Sequence, residues 1–311
     1  MDFSTLICTR KRCLGEGSIF EKLRRDTSIE VDPEIFHAAL IYDEHGAQVL
    51  ERAHRDYLDI GHRLGLPTIV VTDTWRANFE RIKRSRFRDR RVNEDDTAFI
   101  RRIADDYVRQ GMEVYVGGQT GPRGDAYKPA EALSAEDALE FHRPQMEALC
   151  NSGVDFLLAA TLPALSEARG IAEAMAETGK PYALSFVVRR NGTILDGTPL
   201  VDAVRQIDDT SSAAPTAYFV NCVYPTIFAE ALDAAKLKDP DAAARIFGFY
   251  ANTSDLDPED LDGSEELLTV SPTHLADLML DIHERHDIPI LGGCCGTDIE
   301  HIQKLGNTFQ T

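Results

Sequence analysis

The chain has 311 residues, of which 43% are hydrophobic, and a formal net charge of -19 at pH 7. This length suits one α/β barrel, which typically needs about 250 residues, and we predict a single domain over residues 1–311. A protein with this negative charge is not expected to bind nucleic acid or anionic membranes, because both are negatively charged and bind basic surfaces. There is no apolar run of about 18 residues, and the segment Met1 to Arg12 resembles neither a signal peptide nor an anchor. We therefore expect a soluble, cytoplasmic protein.

Short apolar runs alternate with helical patterns along most of the chain, which is typical of repeated βα units. The predicted strands are 12–14, 68–71, 113–116, 156–159, 182–187, 217–220, 246–250 and 288–291. The predicted helices include 48–64, 95–110, 135–152, 165–177 and 273–285, the third with Ser134 as its N-terminal cap. Eight such units predict a (β/α)8 TIM barrel, whose chemistry lies at the carboxyl ends of the strands. The alternative, a doubly wound open sheet, is disfavoured because Gly15-Glu16-Gly17 lacks the third glycine of a dinucleotide-binding motif.

Two of the predicted strands are followed closely by cysteines. The last strand opens into a glycine turn that carries Cys294 and Cys295, and Asn221-Cys222 follows the run 217–220. Simple burial is one interpretation, because free cysteine is among the most buried residue types. Three cysteines at two strand ends instead indicate a catalytic zinc site, which keeps three protein ligands and leaves one position open.

The other three cysteines lack such a setting and are interpreted as structural: Cys8, Cys13 and Cys150. Six cysteines in a chain of this length do not indicate a disulfide scaffold.

Asn221-Cys222, together with G-G-C-C-G-T at residues 292–297, resembles the zinc-dependent homocysteine S-methyltransferase family. The chain looks most similar to the S-methylmethionine-using branch of this family at F-H-R-P (141–144), G-V-D (153–155) and D-G-T-P-L (196–200). The resemblance implies that Cys222, Cys294 and Cys295 bind Zn²⁺ and are the catalytic residues, with the acceptor thiol as fourth ligand. Metal coordination deprotonates a thiol, so the transfer needs no general base. The implied partners are small molecules: homocysteine as acceptor, and S-methylmethionine or S-adenosylmethionine as donor, giving methionine.

Further stretches match the family in chain order. Glu16-Gly17 stands where the family has D-G, and Thr72-Asp73-Thr74 stands at its T-x-T strand end. Residues 54–61, H-R-D-Y-L-D-I-G, resemble its H-x-x-Y-x-x-A-G helix. The resemblance implies a substrate-binding set consisting of Glu16, Gly17, Asp73, Thr161 and Asn221.

One departure leaves the acceptor open. The family carries E-T at the end of the fourth strand, where this chain has Ala160-Thr161. Either another acid, Glu16 or Asp73, pairs with the ammonium group of homocysteine, or the same zinc chemistry serves a different thiol or demethylates another methylated compound. A zinc-binding barrel without turnover, acting as a binding or regulatory subunit, is the alternative from a different class.

Other polar residues are given no catalytic role. The basic segment from Arg76 to Arg91 is interpreted as a solvated face, or else as a surface for a carboxylate-bearing substrate or an acidic subunit. His142 and Arg143 are predicted on an outer helix surface, and His37 and His54 among solvated or core histidines. The acidic segment 255–266 is assigned no role, and the sequence does not indicate an oligomeric state.

Overall fold

The computed structural model describes residues 2–23, 29–256 and 269–310. Eight parallel strands form a closed barrel in chain order, and β1 pairs with β8 through Cys13 and Ile290. The strands are β1 Cys13–Gly15, β2 Thr68–Val71, β3 Val114–Thr120, β4 Phe156–Leu162, β5 Tyr182–Phe186, β6 Ala217–Val223, β7 Ile246–Ala251 and β8 Ile290–Gly293. The predicted (β/α)8 TIM barrel is confirmed, with each strand within a few residues of its predicted position.

Helices surround the barrel. In the described residues they are α1 Phe3–Thr9, α2 Phe20–Leu23, α3 Glu44–Leu64, α4 Phe79–Arg84, α5 Val92–Val108, α6 Ala135–Asn151, α7 Leu165–Ala176, α8 Leu200–Thr210, α9 Pro225–Lys238, α10 Pro240–Ala243, α11 Pro272–His286 and α12 Ile299–Phe309, with short 3-10 helices at His37–Tyr42, Thr74–Arg76 and Pro129–Glu131. Ser134 caps α6 as predicted, since its hydroxyl accepts the Asp137 N–H at 3.1 Å. None of these helices is long and apolar enough to cross a membrane.

The interior of the barrel is packed at its amino-terminal end. Phe3 of α1 stacks on Phe156 of β4 with ring centroids 3.9 Å apart, and both side chains are fully buried. Ile69, Phe219 and Ile290 belong to the same buried cluster. Since this end is filled by large apolar side chains, open space for a ligand lies at the carboxyl ends of the strands.

Two of the surface predictions are wrong. Arg76, the first residue of the basic segment, is only 8% exposed because its guanidinium donates to the carbonyls of Pro122 and Gly124. His142 is fully buried on the inner face of α6 and lies 3.0 Å from the Glu167 carboxylate.

The remaining parts of these segments lie at the surface or beyond the described residues. Arg143 pairs with Glu177 at the surface, and Arg84 pairs with Glu34. Within the acidic segment 255–266, residues 257–266 lie outside the described residues.

Candidate metal and substrate site

Three cysteines converge at the carboxyl end of the barrel. Cys222 lies on β6, while Cys294 and Cys295 follow β8, and their three sulfurs all lie within 4.8 Å of one another. Cys222 Sγ and Cys295 Sγ are 3.5 Å apart. A tetrahedral zinc with Zn–S bonds of about 2.3 Å separates its sulfurs by about 3.8 Å, so this triad fits the ion.

The contacts among the three thiols favour ionisation of Cys222. Hydrogen bonds from the Cys294 and Cys295 thiols hold the pKa of Cys222 well below its usual value although the thiol is buried. A thiolate is the form that binds metal, so Cys222 is the triad member best prepared as a ligand.

The backbone places these sulfurs by unusual local geometry. Cys222 has a φ of 60°, in the left-handed region, where the pairing of β6 with β7 shifts register. Gly296 has a φ of 85°, and a Cβ there would lie 1.8 Å from Thr253 Oγ1, so only glycine fits. The turn is tied to β7 because the Cys294 N–H donates to Ala251 O at 2.7 Å.

Asn221 links the metal ligands to the neighbouring strands. Its Oδ1 accepts from Thr161 N at 2.9 Å and from Ser185 Oγ at 2.6 Å, and its Nδ2 donates to Thr161 Oγ1 at 2.8 Å. The same Nδ2 lies 3.9 Å from Cys294 Sγ. The amide therefore holds Thr161, whose φ is 65°, in place across the barrel mouth.

Replacement of Asn221 tests how much its side chain contributes to stability and to zinc binding. Asn221→Ala removes three buried hydrogen bonds and is expected to lower the free energy of unfolding by about 1–3 kcal/mol. Zinc binding is expected to weaken about 10-fold or more, as for other partners that orient metal ligands. Urea unfolding and chelator competition measure the two effects. Asn191→Ala, an exposed loop amide, is the control, and a similar small change in both variants would contradict the assignment.

The triad faces a cavity of about 280 Å³. Every residue predicted for the site contributes to its lining: Glu16, Gly17, Asp73, Thr161, Asn221, Cys222, Cys294 and Cys295. Much of the remaining lining is aromatic, including Phe20, Trp75, Tyr127, Phe219 and Tyr250. The fold thus brings the predicted residues together, while their roles stay predictions.

Two carboxylates of this lining are joined by histidines. His54, 1% exposed, lies between Glu16 and Asp73, with its Nε2 3.1 Å from Asp73 Oδ2. His37 Nε2 lies 3.1 Å from the other Asp73 oxygen. Burial alone would lower the pKa of His54, but the charges of Glu16 and Asp73 outweigh it and hold the pKa well above its usual value. His54 is therefore a buried cation that lies between two buried carboxyl groups.

The opposite wall is neutral. Ala160 stands on β4 in the cavity wall, and the Trp75 indole N–H donates to its carbonyl at 3.1 Å. Of the cavity-lining residues in the described ranges, Glu16 and Asp73 are the carboxylates. The missing glutamate of β4 is thus not replaced by an acid on that side.

Sequence reasoning missed three side chains of the site. His37 and His54 were predicted as solvated or core residues, although His54 stands in the H-R-D-Y-L-D-I-G motif. Tyr127, in the loop after β3, places its hydroxyl 3.0 Å from Cys222 Sγ. No sequence signal points to Tyr127, because its contact spans 95 residues of the chain.

A model of the homocysteine S-methyltransferase family matches residues 13–309. The chain belongs to this family. It is accordingly an enzyme of the homocysteine S-methyltransferase type, and the family assignment made from the cysteine motifs is confirmed.

Individual relatives span the same region. The homocysteine S-methyltransferase YbgG of Bacillus subtilis is 25% identical over 311 residues, covering 93% of this chain and 92% of the relative. Bovine betaine–homocysteine S-methyltransferase 1 is 24% identical over 311 residues, covering 94% of this chain and 70% of the relative. The metallated form of MmuM, a homocysteine methyltransferase from Escherichia coli, superposes with a TM-score of 0.75 at 21% identity, covering 97% of this chain and 98% of that one. This last likeness shows the fold alone.

Proposed function

We propose that this enzyme transfers a methyl group from a small sulfonium donor to the thiol of homocysteine, using zinc held by Cys222, Cys294 and Cys295. The observation that carries the proposal is the three sulfurs, which lie within 4.8 Å of one another and line a cavity of about 280 Å³ at the barrel mouth. It is supported by the curated relatives, which are named for homocysteine, and by the family model that matches residues 13–309.

The cavity meets two conditions for the transfer. Zinc, when bound, would deprotonate the acceptor thiol and leave it nucleophilic at neutral pH. The aromatic lining, with Trp75 and Phe219, provides faces that attract a sulfonium cation while excluding water. The acceptor sulfur then forms its bond to the methyl carbon as the donor's carbon–sulfur bond breaks, and the electron pair leaves with a neutral thioether.

The acceptor's ammonium group needs a counter-charge. Because the β4 wall is neutral at Ala160, we assign this contact to the Glu16 and Asp73 side of the cavity. An ammonium left without an anion in a dry site would cost on the order of several kcal/mol. This assignment keeps homocysteine as the acceptor despite the loss of the family's glutamate.

Methyl transfer by the zinc-loaded wild-type chain tests the proposal. Homocysteine is offered with S-methylmethionine, S-adenosylmethionine or glycine betaine, and methionine is measured by mass spectrometry. We expect saturable methionine formation with a sulfonium donor.

Other outcomes separate the alternatives. Methylation of a different thiol but not of homocysteine would mean that Ala160 marks a changed acceptor. One bound zinc with no methylation of any thiol would favour the non-catalytic barrel, and in either case the proposal fails.

A further inference from the structure

The loop after β3 crosses the cavity beside the metal ligands. Its residues Ala126 and Tyr127 line the cavity, and the Tyr127 hydroxyl lies 3.0 Å from Cys222 Sγ. A phenol has an ordinary pKa of about 10, so at neutral pH it is a hydrogen-bond donor toward a thiolate. Tyr127 therefore contacts one of the three proposed metal ligands directly.

Two buried side chains anchor this loop. Arg76 Nη1 donates to Pro122 O at 3.0 Å and to Gly124 O at 2.6 Å. Glu167, 1% exposed, accepts the Arg123 N–H at 2.7 Å. Because both side chains are buried and hydrogen-bond to the backbone of the loop, these contacts hold the loop in one position.

The base of the tyrosine is fixed as well. The Tyr127 N–H donates to Asp125 Oδ1 at 2.9 Å, which closes a turn directly before the ring. The ring is thus presented to Cys222 by a rigid support, and the contact is not that of a surface side chain.

We propose that Tyr127 is a positioning residue that acts through Cys222. Its hydroxyl donates to the Cys222 sulfur, which fixes the direction of that ligand and withdraws part of its negative charge. Groups that orient metal ligands in this way typically change metal affinity by about 10–100-fold. The inference rests on the proposed metal site and concerns a residue outside the cysteine triad.

Tyr127→Phe removes the hydroxyl and keeps the ring. Tyr107→Phe is the matched control, because its hydroxyl makes a comparable 2.6 Å bond to Asp59 on the outer side of the barrel. Zinc affinity is measured by chelator competition, and the thiolate-to-cobalt charge-transfer band is recorded after replacement of zinc by Co²⁺. We expect about 10-fold weaker zinc binding and a band shifted to lower energy in Tyr127→Phe, because the sulfur regains its charge, and neither change in Tyr107→Phe.

Arg76→Gln provides a second route to the same contact. It loosens the loop while keeping the phenol, so it should produce part of the cobalt band shift. The double variant Arg76→Gln, Tyr127→Phe should show the same cobalt band as Tyr127→Phe alone, because the hydroxyl through which Arg76 acts is absent.

The failures are distinguishable. Wild-type protein that binds zinc and methylates homocysteine, with Tyr127→Phe indistinguishable from Tyr107→Phe in affinity and cobalt spectrum, overturns this inference alone. Wild-type protein that takes up neither zinc nor cobalt overturns the proposed function and this inference together.

Discussion

Cys294→Ala is expected to reduce bound zinc from one equivalent per chain to almost none and to abolish methyl transfer. Catalytic zinc sites keep three protein ligands, and two thiolates are too few to retain the ion against a chelator. We expect the affinity to fall by more than about 100-fold, the upper end of what the loss of an outer partner costs. The fold should survive, because the backbone N–H of residue 294 still donates to Ala251 O.

Elemental analysis of purified protein measures this effect directly. Cys8→Ala is the control, since Cys8 is exposed on α1 at the opposite end of the barrel, and it should retain full zinc and activity. Retention of zinc by Cys294→Ala would show that the triad does not hold the ion. Failure of the wild type to take up added zinc would leave the three cysteines as packing.

The second large effect is expected on stability. His54→Ala leaves Glu16 and Asp73, both at most 5% exposed, without the cation between them. Removing one partner of a buried ion cluster costs about 3–5 kcal/mol of unfolding free energy. His54→Gln, which keeps hydrogen-bonding capacity but no charge, should lie between wild type and His54→Ala. The exposed His45→Ala should change by less than about 0.5 kcal/mol.

The pH dependence identifies the charge as the cause. The pKa of His54 is raised in the folded state, so its contribution is fully present below about pH 6.5 and is lost as the pH rises through the raised value. Burial would raise the pKa of Asp73, but His54 and His37 outweigh it and lower it, so its contribution is present above about pH 3.9 and is lost in stronger acid. Both contributions are complete between about pH 4 and 6.5, where the gap between wild type and His54→Ala should be widest. Urea unfolding from about pH 3 to about pH 9 measures this gap. A gap below about 1 kcal/mol between pH 4 and 6.5, or one that does not narrow on either side of that window, would contradict the assignment.

The sequence predicted elements where one local pattern dominates. All eight strands begin within two residues of their predicted start, but β3 extends to Thr120 while the apolar pattern ends at Val116. Its continuation is Gly117-Gly118, which has no side chain to show periodicity and is instead required by contact with Phe156 and Leu149. The need for glycine at these two positions comes from tertiary contacts, so it cannot be read from the local sequence pattern.

The site shows the same division. The three cysteines could be predicted because adjacent cysteines on a glycine turn are unusual in themselves. His54 could not be assigned to the site, because its partner Glu16 lies 38 residues away in the sequence. Taken alone, a histidine or a glutamate is more often a surface or core residue than part of a site. Arg76 and His142 were predicted at the surface because their burial depends on acceptors and an acid in distant segments.

The order of the ligands along the chain has a consequence for biosynthesis. Cys222 and Cys295 are separated by 73 residues. Cys222 lies on β6, whereas Cys295 follows β8, the strand that also pairs with β1. During synthesis the chain therefore contains only one of the three cysteines until β8 has been made. The three sulfurs come together only when β8 has joined the barrel. Only a molecule with a closed barrel can therefore bind a metal ion through all three cysteines. The bound ion then opposes separation of β8 from β1, because a ligand that binds the folded state stabilises it.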